Sequence, residues 1–137
     1  MGLDNFVSKY SKKIKLDDAI LEKTKNADIC LCCYDGCSFR GKVYVVIIDT
    51  ICNESLYYLL CPQTLGVMAS KLNDFIETYI EGKFENTLED IDIRNYIEDY
   101  DDSYEDERYI ITKKELYSLR DFFKICKENN LYLHSDY

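Results

Sequence analysis

Gly36-Cys37-Ser38-Phe39-Arg40-Gly41-Lys42 reads G-x-x-x-x-G-K. That is the spacing of a phosphate-binding loop. Its glycines let successive backbone N–H groups point into one concavity, the following helix offers its positive end, and the lysine reaches the outer phosphates. The hydroxyl residue that would hold magnesium is missing, because Val43 follows Lys42. The spacing therefore predicts anion binding without efficient metal-assisted hydrolysis. Gly36 and Gly41 would give backbone approach, Ser38 a hydroxyl, and Arg40 and Lys42 charge. The ligand class is an anionic small molecule, a nucleotide or a phosphorylated metabolite. A match this short also arises by chance, and then both glycines merely make a turn.

The thiols offer less. A cysteine-phosphatase loop needs five residues between Cys and Arg, but Cys33 and Arg40 are separated by six and Cys37 and Arg40 by two. Cys37 lies close in sequence to two cations, which would lower its pKa, so a third reading makes it a nucleophile. The single histidine, His134, is far along the chain, and no base is paired with it. Cys30, Cys32, Cys33 and Cys37 form one dense cluster, whereas Cys52, Cys61 and Cys126 are scattered. Zinc sites usually present two ligand pairs, so these read as buried free thiols and no metal or cofactor is expected.

The run Asp99, Asp101, Asp102, Glu105, Asp106, Glu107 lacks the central glycine and twelve-residue pattern of a calcium loop. It reads as solvated. Tyr96, Tyr100, Tyr104 and Tyr109 are interleaved with it, and tyrosine serves well at interfaces. This gives the alternative function: a protein-interaction module or inhibitor that meets a basic protein partner through residues 96–109.

Charge and composition narrow the classes. Net charge is −9, with six lysines in residues 9–25 and eleven acids against one base, Arg94, in residues 85–107. An acidic chain is repelled by nucleic acid at long range, which argues against that partner. No apolar run reaches the roughly 20 residues of a membrane span. The N-terminal stretch lacks a signal-peptide core, so a cytoplasmic protein with reduced thiols is expected. Its 137 residues, 13 Tyr and 6 Phe suit a single globular domain over residues 1–137. Oligomeric state is left open.

The elements that must hold these residues read as α+β: about four helices with two or three short strands. Asp17 and Asp18 cap a short helix to about Asn26, and "DICLCCY" reads as a buried strand. Residues 43–52 read either way. Their β-branched content favours a strand, while a helix from Gly41 would put Val43, Ile47 and Ile51 on one stripe and Asn53 at its end. The helix is preferred because a strand there lacks a partner. "ESLYYLLC" reads as a strand stopping at Pro62. Residues 62–82 form the clearest helix, with Leu65, Met68, Leu72, Phe75 and Tyr79 on one face. Thr112 and Glu115 make a capping box before Leu116, Leu119, Phe123 and Cys126, and Asn129-Asn130 ends that helix. "LYLH" adds a terminal strand. Residues 86–111 read as part short helix, part acidic loop.

The segments "MGLDNF", "ADICLC", "SFRGKVY", "SLYY" and "LRDFFKICKENNLYL" resemble a family of small uncharacterised archaeal and bacterial proteins. Cys33 and Tyr34 stand where that family has glycines, and Tyr58 where it has Gln. The resemblance implies no catalytic residue. It implies that "SFRGKVY" begins a helix.

Overall fold

The computed structural model describes residues 3–8 and 38–136. The predicted helix at 17–26, the predicted strand at 28–34, and the candidate residues Gly36 and Cys37 lie outside them. The fold is α+β, as the element inventory predicts.

Three strands make an antiparallel sheet. The central strand β1 is Asp4–Ser8, flanked by β2, Ser38–Arg40, and β5, Tyr132–Asp136. Asn5 lies opposite Phe39 and Ser135 in the register, and Val7 lies opposite Leu133. Side chains alternate across a strand. Asn5, Val7 and Phe39 accordingly turn inward, and Asp4 and Arg40 turn to solvent. Phe39 packs edge-on against Phe122, with ring centroids 5.3 Å apart.

From β2 the chain passes through one tight helical turn, Gly41–Tyr44, into helix α1, Val45–Cys52. Asn53 closes α1 in the left-handed region (φ 55°), and its N–H bonds the Asp49 carbonyl. Asparagine tolerates that conformation, so the predicted C-terminal end is correct. The predicted stripe is not. Ile47 is buried, but Val43 is 48% exposed. The tight turn at 41–44 changes the rotation of the chain, so Tyr44, Val46, Ile48 and Cys52 join Ile47 in the core.

Residues 54–61 are a turn and not the predicted strand. The Ser55 hydroxyl accepts from the Tyr57 N–H, and its carbonyl from the Tyr58 N–H. Serine thereby offers the backbone a local alternative to a ladder. Only Leu60 pairs, in a single bridge to Leu133.

Helix α2 is Pro62–Phe75, continued by one wide turn, Ile76–Ile80, in which the Glu81 N–H reaches back to the Ile76 carbonyl. Proline is tolerated at the first helical position, and Gly82 leaves the helix at φ 77°. The wider turn rotates the following side chains. Ile76 and Ile80 are fully buried there, while Tyr79 is only half-buried. Helix α3, Lys113–Glu128, carries the full reciprocal capping box between Thr112 and Glu115. It lies along α2, and their facing residues Leu65, Met68, Leu72, Leu119, Phe123 and Cys126 form the centre of the core.

Between α2 and α3 a two-stranded ladder joins β3, Asp90–Asp92, to β4, Ile110–Thr112. The sequence predicts only short helix and loop here. The short helical turns exist, at Ile93–Asn95 and Asp106–Tyr109. The ladder brings the total to five strands among the described residues.

Candidate functional site

The structure disperses the described part of the Gly-Lys loop. Ser38–Arg40 run extended and paired to β1. A paired strand points its N–H groups sideways into the ladder, whereas a phosphate nest needs consecutive N–H groups on one concavity. Arg40 and Lys42 are exposed, Ser38 is half-buried, and Gly41 is buried. The Lys42 carbonyl is taken by Arg108, whose Nη1 donates at 3.2 Å.

Gly41 has a different reason to be glycine. A Cβ at this position would overlap Asn5 Oδ1 and come within 2.9 Å of Asn5 Cγ. The buried Asn5 amide fills that space. Its Nδ2 donates to the Leu56 carbonyl at 2.8 Å and to the His134 carbonyl at 3.2 Å. One side chain thus ties the central strand to β5 and to the 54–61 turn. Its Oδ1 has no hydrogen-bond partner among the described residues.

The acidic tyrosine-rich segment is built around Arg94. Its Nε donates to Asp92 Oδ1 at 2.9 Å and its Nη2 to Asp92 Oδ2 at 2.6 Å, a forked pairing. Nη1 donates to Asp106 Oδ1 at 2.7 Å. The guanidinium lies 4.8 Å from the ring centroid of Tyr109. These hydrogen bonds hold the Asp92 carboxyl below the usual carboxylate range. Tyr109 is buried, with the half-exposed rings of Tyr100 and Tyr104 edge-on against it at 5.5 and 6.4 Å. Burial raises its phenol pKa, and Asp101, Tyr104 and Asp102 add to the rise. Its hydroxyl has no hydrogen-bond partner among the described residues. The Ser103 hydroxyl, and after it the Ser103 N–H, lower the Asp101 pKa, and the N–H, donating at 3.0 Å, closes a local turn.

The two segments that the sequence offers as competing sites meet in space. Val43 and Tyr44 on one side, and Glu105, Glu107, Arg108 and Ile110 on the other, enclose a notch of about 320 Å³ with Glu115. Tyr44 donates its hydroxyl to Glu115 Oε2 at 2.6 Å, and Glu115 Oε1 accepts from the Thr112 hydroxyl at 2.8 Å. Burial, reinforced by Glu115, pushes the Tyr44 phenol up. The lining therefore brings three carboxylates and one guanidinium together, an environment for cations.

A larger open groove of about 980 Å³ runs beside α2 and α3. Lys71, Arg120, Lys124 and Lys127 line it together with Asp74, Asp121 and Glu128. Arg120 is already engaged by Asp121 Oδ1 at 2.9 Å and Asn73 Oδ1 at 3.1 Å.

Of the described thiols, Cys52 and Cys126 are buried. Cys61 caps α2, where the Thr64 hydroxyl and backbone N–H lower its pKa. His134 is nearly buried and stacks on Phe6 at 5.1 Å. Among the described residues no group of three metal-ligating side chains is assembled, and no helix is long and apolar enough to cross a membrane.

Reasoning from the sequence missed Asn5, Tyr44 and the clamp formed by Arg94. The only available signal was that Arg94 is the lone base among eleven acids. No protein-family model, curated protein or solved structure matches the chain. The family resemblance therefore stands on its sequence segments alone.

Proposed function

We propose that the domain is a protein-interaction module whose acidic tyrosine-rich segment, residues 96–109, meets a basic protein partner. One observation carries this reading: Arg94 and the buried Tyr109 ring fix the base of the segment, while Tyr100, Tyr104 and the acids stay outward. A surface held in place loses less conformational freedom on binding than a loose acidic loop. Half-exposed tyrosines supply contact area, and the carboxylates steer a cationic partner. The rival reading, an anion held at residues 36–42, keeps two exposed cations, but the described residues give it no shared cradle.

The test uses immobilised full-length chain and a panel of basic, neutral and acidic peptides. Basic peptides should bind and weaken between about 0.1 M and about 1 M salt, where the Debye length falls from about 10 to about 3 Å. The triple variant Asp99→Asn, Asp101→Asn, Asp102→Asn should bind them less. Equal binding of neutral peptides, or an unaffected triple variant, refutes the proposal.

A further inference from the structure

The notch between the 41–44 turn and β4 has a composition that selects one kind of occupant. Its walls include two exposed apolar side chains, Val43 (48% exposed) and Ile110 (38% exposed). The lining also carries Glu105, Glu107 and Glu115 against the single cation Arg108. The Glu115 carboxylate is already occupied by Tyr44 and Thr112. The side chains of Glu105 and Glu107 are exposed and have no hydrogen-bond or ion-pair partner among the described residues. Arg108 spends Nη1 on the Lys42 carbonyl, a neutral acceptor, so the excess negative charge of the lining stands.

Apolar surface beside exposed carboxylates complements a side chain with an aliphatic stem and a charged head. Lysine and arginine bury their stems along apolar surface while keeping the head in a polar setting. A carboxylic or phosphate ligand would meet repulsion from these carboxylates, and a wholly apolar one would leave them unmatched. The volume, about 320 Å³, lies at the small end of ligand sites and suits one long side chain.

Resting on the interaction reading above, we infer that this notch receives one lysine or arginine side chain of the basic partner. The stem would lie on Val43 and Ile110, and the head would sit between Glu105 and Glu107. The proposal deepens that reading by naming the anchor point, which lies beside the acidic loop and not in its middle.

The experiment is an amide-resolved NMR titration of the full chain with a blocked pentapeptide, Gly-Gly-Lys-Gly-Gly. Matching peptides carry Arg, acetyl-lysine or norleucine at the centre. Lys and Arg peptides should move the amides of Val43, Glu107 and Ile110. Acetyl-lysine, which keeps the stem and loses the charge, should move them far less. The double variant Glu105→Gln, Glu107→Gln alters only exposed side chains and should weaken the Lys peptide about two- to five-fold, the range of exposed ion pairs. Val43→Ser should weaken it independently. Shifts confined to residues 98–104 would overturn the notch while leaving the interaction reading intact. Equal shifts with norleucine would overturn the charge complementarity. No shift anywhere with any basic peptide would overturn both.

Discussion

Replacing Gly41 by Ala separates a packing role from a ligand-binding role. A methyl group at this position falls on Asn5 Oδ1 and approaches Leu3 Cδ2 to 3.3 Å. Gly41 is not among the described residues with positive φ, so backbone strain is not the issue and space is. Either the Asn5 amide moves or the backbone does. Moving the amide breaks its bonds to the Leu56 and His134 carbonyls, at about 1–3 kcal/mol for a buried group that loses its partner. Moving the backbone overpacks the core, at about 1–3 kcal/mol. The chain takes the cheaper route, so about 1–3 kcal/mol is expected, an appreciable part of the roughly 5–15 kcal/mol of a typical domain. At this chain length that corresponds to a fall in Tm of roughly 3–12 °C. Urea and thermal unfolding of ligand-free protein measure it. The cycle with Asn5→Ala is sharper. Once the amide is gone the new methyl has room, so the double variant should be more stable than the two single losses predict by about 1–3 kcal/mol. A Gly41→Ala protein that melts within about 2 °C of the parent, or strictly additive losses, would refute the packing account.

Two further outcomes follow from the site. In the native protein Cys61 should react with iodoacetamide at least about tenfold faster than Cys52 or Cys126, read by peptide mass spectrometry. Burial pushes the Cys52 thiol up to about 12 and that of Cys126 higher than usual, while Thr64 lowers that of Cys61. Equal rates would mean that the core opens too readily for burial to matter. Arg94→Leu should destabilise the protein most at neutral pH, and its deficit should shrink as pH falls. The Asp92 carboxyl is held below its unfolded value near 3.9, so its pairing contributes fully above that value and is lost as pH falls through the lower folded one. A deficit independent of pH down to the acid transition would assign the loss to the contact with Tyr109 instead.

The helices were legible because their signals are local. Pro62 and Gly82 bracket α2, and the Thr112–Glu115 box marks the start of α3; each depends on residues within a turn of it. Residues 43–52 were harder. Asn53 gave the end, but the tight turn before Val45 shifted which face is buried, and no residue type announces such a turn. Strands β3 and β4 have three residues each, too few for a period of two to stand out, and the acids around them read as loop. The site was legible only in its acidic half. Glycine at position 41 fits either a phosphate loop or a close approach, and the choice depends on Asn5, which is near in space and distant along the chain. Spacing cannot carry that information. The clamp by Arg94 has the same character, since it joins Asp92 to Asp106 across the intervening loop.

Strand β1 pairs along its whole length with β5, from Asp4 opposite Asp136 to Ser8 opposite Tyr132. The middle of the sheet therefore unites the earliest described residues with the last. During synthesis Asn5 and Val7 emerge before the helices, yet their partners in β5, Ser135 and Leu133, leave the ribosome only after α1, α2 and α3 have done so. The α2–α3 pair involves far shorter separations and can condense earlier, before the long closure that the sheet requires. A nascent chain halted just after α3 would hold a helical core beside a strand paired only to the three residues of β2, with the edge that β5 covers left open to capture by chaperones or by a second copy of itself.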